Sequence, residues 1–134
     1  MITILKNNLQ KISYIIHYTD IHIRQNKRKD EYKEVFDRFF NLIKDYPKEE
    51  TIIINTGDIF HTKLEMQPEG IKLSEILFRG CADLFPTIII AGNHDCLTHN
   101  KNRLDSITPI IDAINHPNLF YLKESGLYGL GNIC

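Results

Sequence analysis

A chain of 134 residues, 43% hydrophobic and 25% charged, is long enough for one modest domain with its own core, and its composition is that of a soluble globular protein. A net charge of −1 excludes a global field that would draw the chain to nucleic acid or a membrane, so any DNA contact has to come from a local patch such as Arg24–Lys29. The three cysteines, Cys81, Cys96 and Cys134, follow no CxxC spacing, which argues against a disulfide framework or a zinc ribbon and for a reducing compartment.

The first stretch, MITIL, reads either as a short strand or as a leader. It has none of the charged start, apolar stretch and small-residue cleavage site of a signal peptide, and no apolar run approaches the roughly 18–20 residues of a membrane helix. The expected location is therefore intracellular and soluble, in cytoplasm or nucleus. Ile12–Tyr18 is a compact β-branched run, read as the first buried strand. Asp30 is placed to cap a helix running to about Asp45, with Tyr32, Val35, Phe36, Phe39, Leu42, Ile43 and Tyr46 as one apolar stripe, and Pro47 prevents its continuation.

Thr51–Asn55 is the second strand, of the kind found in parallel sheets covered on both faces. Pro68 stands near the start of a second helix, with Ile71, Ser74, Leu77, Phe78 and Cys81 on its inner face. Thr87–Ala91 is the third strand, and Gly92–Asp105 is a loop. Thr108 is expected to cap a third helix, with Pro109 at its first position and Ile110, Ile111 and Ile114 facing inward. Leu119–Leu122 is a fourth strand, a Ser-Gly turn follows, and the end of the chain falls within what looks like a further strand. The order β-α-β-α-β-α-β implies an α/β domain with a mostly parallel sheet, helices on its faces and right-handed crossovers.

In such folds ligands bind outside the carboxyl ends of the strands. Three strand ends here carry polar clusters: Asp20-Ile21-His22, Gly57-Asp58-Ile59-Phe60-His61 and Gly92-Asn93-His94-Asp95. Asp20 to Asp58 and Asp58 to Asn93 each span about one βαβ unit, which takes roughly 30 residues or more, so neighbouring parallel strands bring all three to one rim. Carboxylate, imidazole and amide oxygen suit manganese, iron, magnesium or zinc, and thiolates are absent from the set. Gly57 and Gly92 let the backbone turn sharply, so that the next side chain points into the crevice. Alone, Asp20 and His22 read as a loop acid and a surface histidine, and GDIFH as a common strand-end turn; three clusters in order at crossover spacing make a site the better reading.

The motifs DIH, GDIFH and GNHD resemble the DxH … GDxx(H/D) … GNH(D/E) signature of the calcineurin-like metallophosphoesterase superfamily. Within it the chain is similar to the SbcD-type DNA-repair exonucleases, through HYTDIHIR, through His61 where protein phosphatases have an aspartate, and through DEYKEVFDRF, which looks like phage and large-virus versions of these nucleases. The resemblance covers roughly Ile12 to Leu130. It implies the first half of an αββα sandwich and a metal-dependent DNA exo- or endonuclease acting in repair or recombination. Two divalent metal ions, Mn2+ foremost, would be held by Asp20 and His22, by a bridging Asp58, and by Asn93. His94 would contact the scissile phosphate and assist the leaving oxygen, Asp95 would orient His94, and His61 would help position the phosphate. Arg24, Lys27 and Arg28 are the expected DNA contacts, and the partners implied are DNA, an SbcC-type ABC ATPase and a second copy of the chain.

The chain also departs from the pattern. Arg24 stands where the nuclease branch often has the glycine of DxHLG. The family's further histidine and its GHxH motif, expected on a second sheet, have no counterpart, and His99 and His116 read as surface residues. The expectation is one C-terminally incomplete domain over residues 1–134. Two other functions stay open: a phosphomonoesterase or phosphodiesterase on nucleotides or phosphoproteins, and a non-catalytic remnant that binds DNA or an ATPase partner.

Overall fold

The structure, a computed structural model, describes residues 1–24, 28–62, 66–93, 95 and 105–130. Lys27, His94 and His99 lie outside the described residues. The elements run β1 (Ile2–Leu5), β2 (Tyr14–Tyr18), α1 (Lys29–Ile43), β3 (Thr51–Asn55), α2 (Pro68–Leu84), β4 (Thr87–Ile89), α3 (Thr108–Ile114), β5 (Leu119–Tyr121) and β6 (Leu127–Leu130). The expected alternation of strand and helix is present, and MITIL is a strand.

β2, β3, β4 and β5 form one sheet in that order, every neighbouring pair parallel. β1 and β6 pair parallel in a separate two-stranded sheet. Because the strand order never reverses, right-handed crossovers place α1, α2 and α3 on the same face of the main sheet. Register confirms it. Ile16, Ile53, Thr87 and Leu119 stand in one row across the sheet, and Tyr18, Asn55, Ile89 and Tyr121 in the next. Ile53, Ile89 and Leu119 are buried in one cluster with Phe36 and Ile43 of α1, Leu73, Leu77, Phe78 and Cys81 of α2, and Ile110 and Ile114 of α3. Each large side chain buried here contributes about 1.5–3 kcal/mol of transfer free energy.

The alternate residues point to the other face: His17, Ile54, Ile88 and Phe120 stand in one row, and Ile15 stands beside Ile52, where Ile52 is buried and Ile15 is 59% exposed. This corrects two expectations: the helices cover one face and not both, and β2 is an edge strand whose outer row is open rather than a buried one. Strands β3 and β4, each paired on both sides, are the buried ones.

Helix boundaries differ from expectation for local reasons. Arg28, left-handed at φ 62, is the residue before α1, and Asp30 sits in the helix's first turn, where a carboxylate faces the positive end of the helix dipole. Val35 and Leu42 are exposed although they fall on the apolar stripe, because α1 lies at the sheet edge and buries only Phe36 and Ile43 fully, with Tyr32, Phe39 and Phe40 packed beside them. Ile71 is likewise at the exposed rim of α2, not on its inner face. The α3 cap is Asp105 and not Thr108. The Asp105 carboxylate accepts the backbone N–H groups of Ile107 and Thr108 at 2.9 and 2.7 Å, and the Thr108 hydroxyl donates to it at 2.8 Å.

Candidate metal centre

The loops after β2 and β3 continue the sheet's ladder past the strand ends. Thr56 N–H donates to the Tyr18 carbonyl at 3.3 Å, Asp20 N–H to Gly57 at 3.1 Å, His22 N–H to Asp58 at 3.0 Å and Ile23 N–H to Ile59 at 2.7 Å. His61 N–H returns to Ile23 at 3.1 Å, and Ile23 and Phe60 form an isolated parallel bridge. This zipper fixes the first loop against the second with Asp20 and His22 beside Asp58. One ligand atom from each of these three residues lies within 4.8 Å of the others.

The backbone reaches this arrangement by left-handed turns. Among the described residues, five other than glycine have positive φ, and three of them are Asp20 (57°), His22 (48°) and Asp58 (52°). Such conformations concentrate at sites where the surrounding structure over-determines them. Gly57 precedes Asp58 at φ 93°, and a Cβ there would stand 1.9 Å from the Gly92 nitrogen. Gly92 is needed for a different reason from the sharp turn expected of it. A Cβ on it would meet Asp58 Oδ1 at 2.2 Å, so its role is to let the third loop come close to the central carboxylate.

The third loop is tied in by Asp95, which is 2% exposed. Its Oδ1 accepts the backbone N–H groups of Ile59 and Phe60 at 3.0 and 3.4 Å, and its Oδ2 accepts that of Gly92 at 2.9 Å. Burial raises its pKa, and the loop amides oppose that shift. Among the described residues, Asp95 ties together the backbone of the Asp58 and Asn93 loops; its expected orienting of His94 lies outside the described residues. Beneath the rim, the fully buried Asn55 accepts Gly57 N–H at 2.9 Å, and Tyr18 Oη lies 3.7 Å from Cys81 Sγ. Burial drives the Tyr18 phenol well above its usual range and pushes the Cys81 thiol up to about 12, so both stay neutral and the thiol unreactive.

The other site residues fall as follows. His61 is exposed, its ring centroid 5.9 Å from that of His22. Asn93 is exposed in the turn directly after Gly92. Arg24 is exposed, and Arg28, paired with Glu31 at 3.6 Å, helps line a cleft of about 310 Å³ beside Asp20 together with Ile21, Glu31, Tyr32 and Phe36. His116 is more engaged than a surface residue. Its Nε2 stands 2.8 Å from Asp83 Oδ1, and its Nδ1 accepts the Asn118 N–H at 3.0 Å. Tyr32, Asn55 and Asp105 have structural work that the sequence reading did not assign. Asp105 carried a signal, an aspartate three residues before a helical threonine; Tyr32 and Asn55 looked like ordinary members of an apolar stripe and a strand.

Two carboxylates and one imidazole, half-exposed and converging, are the donor set of a hard-to-borderline divalent cation, which also offsets the repulsion between the carboxylates. A parallel sheet carries that set at its carboxyl rim. The chain belongs to the calcineurin-like phosphoesterase family, whose sequence pattern it matches over residues 13–132. It is 50% identical over 125 residues to Uncharacterized protein R555 of Acanthamoeba polyphaga mimivirus, an alignment that takes in 92% of this chain and 9% of that protein. The chain therefore spans less than a tenth of the length of the viral relative. Among the described residues no helix is long and apolar enough to cross a membrane.

Proposed function

We infer that the chain carries the catalytic rim of a DNA exo- or endonuclease of the SbcD type, working in repair or recombination with two divalent cations, manganese foremost. The observation that carries this reading is the His61 ring next to His22 at the edge of the carboxylate cluster. An imidazole there offers a phosphodiester oxygen a hydrogen-bond donor, where the phosphatases' aspartate would offer a charge of the wrong sign. The cations, when bound, supply Lewis-acid polarisation of the phosphate and a nucleophile at neutral pH. Asp20 and His22 would hold one, Asn93 the other, and Asp58 would serve both. His94 meets the scissile phosphate and gives a proton to the departing oxygen, and Asp95 keeps the loops on either side of it in place. Arg24, Lys27 and Arg28 would neutralise phosphates flanking the scissile one. The partners in this reading are an SbcC-type ATPase and a second copy of the chain, inside the cell.

The test is cleavage of an end-labelled linear duplex by the full chain with Mn2+, beside hydrolysis of a small aryl phosphate. Shortening of the duplex that vanishes in Asp58→Asn supports the reading. Turnover of the aryl phosphate with the duplex left intact reassigns the domain to the phosphomonoesterases. Duplex cleavage undiminished by Asp58→Asn removes the metal assignment.

A further inference from the structure

Helix α1 reaches the first metal loop through one hydroxyl. Tyr32 Oη donates to the His22 carbonyl at 2.9 Å and accepts the Arg24 N–H at 3.3 Å. The Tyr32 ring is half-buried against the core, its centroid 6.1 Å from that of Phe36, so the hydroxyl stands on a fixed base. On the other side of the same three residues, His22 N–H and Ile23 N–H donate to Asp58 and Ile59, and the Ile23 carbonyl accepts from His61. Residues 22–24 are thus clamped between the β3 loop and helix α1, and the α1 side of the clamp is the Tyr32 phenol.

His22 gains from such a clamp because its φ of 48° lies in the sparsely populated left-handed region, which costs most residues free energy. With its N–H held by the Asp58 carbonyl and its carbonyl held by Tyr32, the peptide planes on both sides of His22 are fixed, and so is the direction of its Cα–Cβ bond. We propose that Tyr32 is a positioning residue for the metal centre: it acts through the His22 backbone to hold that imidazole beside Asp20 and Asp58 before a cation arrives. The proposal rests on reading the Asp20–His22–Asp58 cluster as a cation site, and it is independent of what the domain hydrolyses. Without the phenol, part of the cation's binding free energy goes into ordering the loop, and affinity falls by that amount.

The test is Tyr32→Phe, which removes one oxygen and keeps the ring. Mn2+ affinity of the full chain is read by titration calorimetry, and the unfolding midpoint of the metal-free chain by urea titration. Outer-shell partners of metal ligands typically carry a factor of about 10–100 in affinity, and a loss of about tenfold is expected for Tyr32→Phe. Tyr14→Phe, whose ring lies against Tyr46 at the other end of β2, keeps the wild-type affinity. Amide exchange of Arg24 in the metal-free protein quickens in Tyr32→Phe and not in Tyr14→Phe. An affinity within twofold of wild type overturns the proposal. So does a wild-type chain that takes up no Mn2+, or an affinity loss matched by Phe36→Leu, which loosens the same helix without touching the hydroxyl. Wild-type chain that binds Mn2+ and leaves DNA intact counts against the nuclease reading alone.

Discussion

The Asp95 carboxylate lies across two loops, with Oδ1 on the Ile59 amide at 3.0 Å and Oδ2 on the Gly92 amide at 2.9 Å. The residue just before Ile59 is Asp58, and the residue just after Gly92 is Asn93. One buried side chain therefore sets the spacing between the loops that carry these two residues. Asparagine is nearly isosteric, but its amide nitrogen must turn a donor toward one of these N–H groups. Asp95→Asn should cost about 2–3 kcal/mol, through charge-assisted bonds lost and a buried donor left unmet. Urea unfolding measures the cost, and Mn2+ affinity should fall with it.

Gly57 and Gly92 are the closest backbone approach at the site. Gly57→Ala forces a methyl group into the Gly92 nitrogen and a side chain onto a left-handed backbone, so about 2–5 kcal/mol of destabilisation is expected. Gly126→Ala is the control. A Cβ there meets only the Tyr128 ring, at 3.6 Å or more, and its unfolding midpoint should stay near wild type.

Asp105 gives a pH-dependent contribution. Burial pushes its carboxyl up, but the amide and hydroxyl of Thr108 and the Lys123 ammonium, 3.3 Å away, outweigh that and hold it below the usual range. A folded pKa below the unfolded value of about 3.9 means that the unfolded chain takes up the proton first as pH falls. The stabilisation is therefore full above the unfolded pKa and disappears as pH drops through the folded one. Asp105→Ala should lower stability by about 1 kcal/mol near neutral pH, the usual worth of a helix cap. The gap to wild type should narrow below about pH 4, as read from urea titrations at several pH values.

The two faces of the main sheet should respond differently to truncation. Ile53→Ala, on the helix side and fully buried, should cost about 2–5 kcal/mol. Ile15→Thr, one strand away on the open side, should stay within about 0.5 kcal/mol of wild type. Equal costs would mean that the open face is covered in solution.

Strand existence and order were legible in the sequence because each buried strand is a short β-branched run and each crossover has its own apolar stripe. Ile52, Ile53, Phe78 and Cys81 read as interior residues and are interior. Coverage was not legible residue by residue. Whether Ile15 or Ile71 is buried depends on which elements lie beside it, and a strand's own pattern does not reveal that its neighbour is missing. The convergence of Asp20, His22 and Asp58 was legible because aspartate and histidine at strand ends are chemically specific. The parts that hold it were not, since Tyr32 and Asn55 act through one polar atom each and otherwise resemble ordinary core residues. Gly92 was singled out correctly, but its reason, proximity to Asp58 Oδ1, needs three dimensions.

The left-handed backbone at Asp20, His22 and Asp58 sets fold stability and metal binding against each other. Glycine at any of the three relaxes a conformation that costs an ordinary residue about 1–2 kcal/mol, against about 0.5–1 kcal/mol of added chain entropy in the unfolded state. A lineage released from the need to bind metal would drift toward glycine at these positions and gain a slightly sturdier, inert domain. The aspartates and the histidine that occupy them here are the residues such drift would remove first.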